Sequence, residues 1–314
     1  FSWDPAAPQA ALALEVSDLE IAPLRAAALT LAPDVPLVRR LCELLQGGRV
    51  PGLSITSRAP SPAQLGDLAG LSLRASLAGG SLHVPGADLP VTDAAGEVAL
   101  SGGVLTGSGL SGRSGASSAR AARLRMGFLG PQRPFSFEGE LSADLAHLRQ
   151  RLPGWLRPGV LRDELRLVDT AQGRATGRPV LGERLDHLTA AVEVRAFDVS
   201  GRYRRIPFPL ELRGSFNARK GQAAVAGLTG RVGGSTVEGA AAEVTFGRVP
   251  HLRVTSGQGS LDVAELYPWL LTAPGARRAL RDVGPPSGRL AGSSLSVDGR
   301  ARHPSRWTIR ARGA

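Results

Sequence analysis

The chain has 314 residues, a net charge of +11 from 38 Lys+Arg against 27 Asp+Glu, and 42% apolar residues, enough for about two domains or a short repeat array. Its one cysteine, Cys42, excludes an intramolecular disulfide and a Cys-based zinc site. Abundant glycine (40) and proline (23) with 4% aromatics suit many short strands and turns better than a helical bundle.

The chain opens on Phe1, with no signal-peptide pattern and no apolar run near the ~18–20 residues that span a bilayer. A fragment or processed product is the expectation, with any anchor or export signal outside it. Residues 34–46, DVPLVRRLCELLQ, read as a short helix with a cap at Asp34, an early Pro36 and Gly47 as a stop. Residues 96–118 are punctuated by glycine. Ala122, Leu124, Met126 and Phe128 then alternate with Arg123 and Arg125, a strand with one apolar face. DLAHLRQRLPGWL from Asp144 reads as a second helix. Val192, Val194 and Ala196 alternate with Glu193 and Arg195; Ile206, Phe208, Leu210, Leu212 and Phe216 share the apolar face of RRIPFPLELRGSF. Pro207 and Pro209 cannot donate to a ladder, so this strand is expected near an edge. A second glycine-punctuated stretch follows, then DVAELYPWLL as a third helix from Asp262, and Trp307 and Ile309 alternating with Thr308 and Arg310.

The two glycine-rich stretches are copies. At an offset of 118, Gly96, Gly103, Gly109, Leu110, Gly112, Arg113, Gly115 and Ser117 fall on Gly214, Gly221, Gly227, Leu228, Gly230, Arg231, Gly233 and Ser235. Gly139, Asp144, Ala146 and Leu148 fall on Gly257, Asp262, Ala264 and Leu266. Such self-similarity marks a repeat architecture. Residues 1–60 read as the end of a preceding unit, 61–157 and 158–280 as two units, and 281–314 as the start of a third, with Pro/Gly-rich boundaries near 153–161 and 274–288. The expected fold is mainly β: an elongated, curled antiparallel sheet with a few short helices. The apolar face must be covered, either by a second sheet or, if the sheet curls into a groove, by a ligand with hydrocarbon chains.

The order strand–turn–strand, GEVALSGGVLTGSGLSGRSGASS, a strand pair and SADLAHLRQRLP resembles the AsmA-like proteins of Gram-negative bacteria, above all the large YhdP-type and TamB-type members. Gly96, Gly103, Leu110, Gly112, Gly115 and Ser117, and their counterparts Gly214, Gly221, Leu228, Gly230, Gly233 and Ser235, stand in the places of that pattern. The resemblance implies an inner-membrane anchor on an N-terminal helix and a long β-groove crossing the periplasm. It implies similarity to eukaryotic bridge-like lipid-transfer proteins and movement of phospholipid towards the outer membrane. It carries no catalytic residues, no cofactor and no metal. Candidate groove-lining positions are Leu73, Val98, Leu100, Leu124, Met126, Phe128, Val192, Val194, Ile206, Phe208, Leu210, Leu212, Val244, Phe246 and Val254; the same positions could form the core of a closed sandwich. Expected partners are phospholipids, the two membranes and envelope proteins; the alternative is a structural β-repeat scaffold without lipid cargo.

Other signals are weaker. Gly107, Gly109 and Gly112 fit G-x-G-x-x-G, but the counterpart of Gly107 is Val225 and the flanks lack the strand-to-helix context. His83, His147, His187, His251 and His303 are dispersed, without metal-ligand spacing. Asp144 and Asp262 read as helix caps. Ser117 and Ser235 lack the elbow and the positioned His of a nucleophile. His147 and Glu265, equivalent on the two helices, suggest an exposed position. The arginines (Lys220 is the only lysine) stand singly, and even Arg202, Arg204 and Arg205 do not interleave with aromatics, so nucleic acid is not an expected partner.

Overall fold

A computed structural model describes residues 2–4, 9–31, 39, 42–84, 88–130, 133–155, 160–184, 187–204, 206–246, 249–271, 277, 284, 287–300 and 308–313. The chain is mainly β and antiparallel, with few short helices, as its composition and alternation predict. It divides into two compact units, one of residues 1–141 with 179–190 and one of residues 142–178 with 191–314.

The first unit begins with β1 (Ser2–Asp4), β2 (Gln9–Glu20) and α1 (Ile21–Leu31). A meander follows: β3 (Leu45–Ala59), β4 (Leu71–Val84), β5 (Leu89–Ser101), β6 (Val104–Ser114), β7 (Ser117–Gly127) and β8 (Pro134–Asp144). Each strand from β1 to β7 pairs antiparallel with its successor. Sequence reading misses α1, whose Arg25 Nε donates to the Cys42 carbonyl at 2.8 Å. Of the helix expected over 34–46, Asp34 and Pro36 lie outside the described residues. Arg39 and residues 42–44 are helical, but Leu45 and Gln46 already belong to β3, because pairing Leu45 with Leu82 claims them for the sheet.

Next come α2 (Leu145–Trp155), α3 (Val160–Arg166), and β9 (Val168–Arg184) and β10 (His187–Tyr203), which pair as a hairpin whose tip belongs to the first unit. The second unit continues with β11 (Ile206–Arg219), β12 (Gln222–Val232), β13 (Ser235–Thr245), β14 (His251–Ser256) and β15 (Gln258–Asp262). After α4 (Val263–Leu270) come β16 (Arg289–Arg300) and β17 (Thr308–Gly313). β13 pairs with both β14 and β15, and both pair with β16. β11 pairs on both sides, with β10 and with β12, so the expected edge position is wrong. Pro207 and Pro209 are accommodated because they sit at the start of the strand, where few ladder donors are needed. Trp307 and Arg205 lie outside the described residues, as does most of the boundary expected at 274–288.

The repeat is written in backbone conformation. β6 and β12 span equivalent residues at the offset of 118, as do β7 and β13. Gly109 and Gly227 take φ of 58° and 61° inside their strands, and Ala121 and Gly239 take 49° and 66°. Each marks a bulge that adds a residue and reverses which face the following side chains occupy. Leu105 and Leu110 therefore share a face of β6 although their spacing is odd. The bulge between Val194 and Phe197 does the same in β10: Ala196 is exposed and Phe197 takes the apolar side, against the simple alternation expected there.

The expected caps are present. Asp144 Oδ1 accepts from His147 N at 2.8 Å, and Asp262 Oδ1 from Glu265 N at 3.2 Å. Glu265 is not the free surface position expected: its Oε2 accepts from Gly234 N at 2.7 Å, while Ser235 Oγ accepts from Asp262 N at 3.0 Å. These bonds clamp the β12–β13 turn to α4. Replacing Asp262 by alanine should cost about 1 kcal/mol of stability, typical of a lost N-cap, in urea denaturation; an unchanged midpoint would show that the cap bears no load.

The core is thin. Among the described residues the buried apolar side chains are Ile21, Cys42, Leu100 and the alanines 10, 59, 94, 122, 143 and 240. No phenylalanine is among them, whereas a second sheet packed over the first would bury several.

Candidate functional site: an apolar strip on each unit

Residues paired directly across an antiparallel ladder point to the same face. In the first unit, Leu14 faces Ile55, Ile55 faces Leu73, Leu73 faces Leu100, Leu100 faces Leu105, and Leu105 faces Met126. One apolar residue from each of six strands thus forms an unbroken row. A second row on the same face runs Val16, Leu53, Ala75, Val98, Gly107 and Leu124. At about 4.8 Å between strands, six strands make a strip of about 24 Å, longer than the ~15 Å that one leaflet of a bilayer core allots an acyl chain. Ser57 interrupts the end of the strip, but its hydroxyl is tied to the Leu65 carbonyl at 2.6 Å, so no polar group is left open there.

The second unit has its own strip. Val194 faces Phe216, Phe216 faces Val225, Val225 faces Ala242, Ala242 faces Val254, and Val254 faces Val297. Beside it run Val192, Ala218, Ala223, Val244 and Leu252. Beyond the bulge, Leu212 and Leu210 continue the face opposite Val199 and Gly201, and Ile206 faces Tyr203.

Thirteen of the fifteen candidate lining residues therefore lie within strands, while Phe128 and Phe246 each sit one residue beyond the end of theirs. Leu73, Val98, Leu124, Met126, Val192, Val194, Ile206, Phe208, Leu210, Leu212, Val244 and Val254 are half-buried, and Leu100 alone is buried. Phe128 and Phe246 are 42% and 54% exposed. Sequence reading passed over Leu14 and Ile55, whose alternation was legible in LALEV and LSIT, and Leu105, Val225 and Val297, whose place only the register reveals.

The opposite face is polar. Glu15, Ser54, Arg74, Ala99, Thr106 and Arg125 oppose one another across β2 to β7. An open depression of about 820 Å³ is lined by Glu15, Arg74, Glu97, Ser54, Ser76 and Thr106 of this face together with Val16, Leu53, Ala75 and Val98 of the second apolar row. In the second unit Arg253 and His251 reach Asp298 at 3.0 and 2.9 Å. The Arg253 hydrogen bond holds the Asp298 carboxyl below the usual carboxylate range, with desolvation opposing it and His251 assisting. The group is exposed, so the pair adds little stability.

Gly107, Gly109 and Gly112 lie inside β6, not at a strand-to-helix turn. Ser235 is buried and hydrogen-bonded to the main chain of Asp262. Among the described residues, no three His, Cys, Asp or Glu side chains gather as metal ligands, and no helix is long and apolar enough to cross a membrane. No family model matches the sequence, and neither a curated protein nor a solved structure shows significant similarity to it.

Proposed function

We propose that this chain is a non-enzymatic lipid-transfer module of AsmA-like type, working in the periplasm of a Gram-negative cell and carrying phospholipid acyl chains between inner and outer membrane. One observation carries the reading: each unit presents an unbroken apolar row, one residue per strand, with no second layer of protein over it among the described residues. Apolar burial is non-directional, so such a strip holds hydrocarbon without fixing it in place. Head groups stay in water, where arginine meets phosphate. The test is photo-crosslinking from benzoylphenylalanine at Leu124, Met126, Phe208 and Leu210, with mass spectrometry of extracted protein. Phospholipid adducts at these positions, and none from Thr106 on the polar face, are the expected result. Absence of both adducts and co-purified phospholipid would overturn it.

The charged side chains Glu15, Arg74 and Glu97 around the open depression favour a second reading, a cell-envelope scaffold that binds protein. That reading expects protein adducts from Thr106 and no lipid from the apolar side.

A further inference from the structure

The two phenylalanines at the strand ends occupy one position of the repeat. Phe128 and Phe246 are 118 residues apart, and each donates its backbone N–H to the carbonyl of an equivalent glycine, Gly103 at 2.8 Å and Gly221 at 2.7 Å. Both side chains are largely exposed, and Leu129 beside Phe128 is 43% exposed. A single exposed apolar residue needs no explanation, but the same one held by the same bond in both copies is a built feature.

Its surroundings have a sign. In the second unit Phe246 lies at the strand end formed by the β11–β12 turn, the end of β13 and the end of β16. Arg219, Lys220 and Arg300 are exposed there. The nearest carboxylates, Glu193, Glu243 and Asp298, stand at least two positions back along their strands, and Asp298 is already paired with Arg253 and His251. In the first unit the corresponding end carries Arg58 and Arg133 against Asp67. The other end of each sheet differs: there the chain enters α1, and there Asp262 and Glu265 clamp α4.

We infer that this strand end of each unit, with Phe128 and Leu129 in one and Phe246, Arg219 and Lys220 in the other, is a contact surface for the head-group layer of an anionic phospholipid bilayer. Apolar side chains enter the acyl boundary while basic ones meet lipid phosphates, the combination that holds a peripheral protein at a membrane surface. The inference goes beyond lipid carriage and does not require it, since the contact is with a bilayer surface and not with a chain lying on the apolar strip.

Vesicle flotation of the whole chain tests it, comparing pure phosphatidylcholine with the same lipid containing one-third phosphatidylglycerol. The chain should float with the anionic vesicles alone, and high salt should release it. Replacing Arg219 and Lys220 together by glutamine should weaken binding about 30-fold, at the usual worth of a basic residue near an anionic surface. Phe128→Ser with Phe246→Ser should weaken it about tenfold or more, while Phe128→Leu with Phe246→Leu retains it. All four positions are exposed, so thermal unfolding should be unchanged. Phospholipid co-purifying on the apolar strip should persist when Arg219 and Lys220, which lie outside the candidate lining, are replaced by glutamine, which separates this surface from the cargo reading. A wild-type chain that ignores anionic vesicles, or variants that float as it does, would overturn the inference.

Discussion

Arginine at Leu73, or at Val225 in the other unit, should abolish lipid crosslinking from that unit while leaving the protein folded. Leu73 is the third member of the six-residue row, with Ile55 on one side and Leu100 on the other; Val225 stands between Phe216 and Ala242. An acyl chain lying along either strip must pass that position. Placing a guanidinium against hydrocarbon costs about 2.5–3.5 kcal/mol on insertion scales, roughly a hundredfold loss of occupancy. Folding should survive because both residues are only half-buried, and the long side chain can carry its charge to water. Arginine at Ser72, one residue away and on the polar face, is the control. The readouts are adduct yield from a photo-probe at Leu105 or Val254 and the unfolding temperature. Full adduct yield from Leu73→Arg would sink the proposal that the strip carries lipid. A collapse of the unfolding temperature would instead assign Leu73 to a packed core.

The legible part of this fold is the part governed by local rules. Alternation in Ile206–Leu212 and Ala122–Met126 gave the strands and their apolar face, and Asp144 and Asp262 gave the helix starts, because each signal lies within a few residues. The offset of 118 links Gly109 to Gly227 from the sequence alone. The bulges at Asp93 and Ala121 were not legible, since neither is glycine and the positive φ is imposed by pairing with neighbouring strands. The same non-local pairing places Pro207 and Pro209 in an internal strand and reassigns Ala196 to the exposed side. It also shows which apolar residues meet: that Leu73 lies between Ile55 and Leu100 is a matter of register, which no pattern along one strand contains. Glu265 was misread for a related reason, its partner Gly234 being 31 residues away.

Alanine at Gly230 should be strongly destabilising, more so than alanine at the other glycines of its repeat motif. Its φ is 154°, and a Cβ there would overlap the Glu211 carbonyl oxygen and press on Leu212 Cα at 3.0 Å. Glu211 and Leu212 are the partners of Arg231 and Gly230 in the β11–β12 ladder, so relief requires the two strands to part. The strained backbone costs about 1–3 kcal/mol, and each ladder hydrogen bond lost adds about 1 kcal/mol, for a total of roughly 3–5 kcal/mol. Gly227 is the comparison. It has the stronger helical-left signature, φ of 61°, but a Cβ would meet nothing within 4 Å. Gly227→Ala should therefore cost only the ~1–2 kcal/mol of the left-handed conformation. Gly112, the repeat counterpart of Gly230, has no positive φ, and its nearest obstruction is the Val91 Cγ1 methyl at 2.7 Å, a side chain and not backbone. Gly112→Ala should fall below Gly230→Ala, because a side chain can turn away while a paired strand cannot. Denaturant midpoints of the three variants rank these effects. If Gly230→Ala proved as mild as Gly227→Ala, the close approach of β11 to β12 would be wrong, and the apolar row of the second unit, which crosses between those strands at Phe216 and Val225, would lose its register.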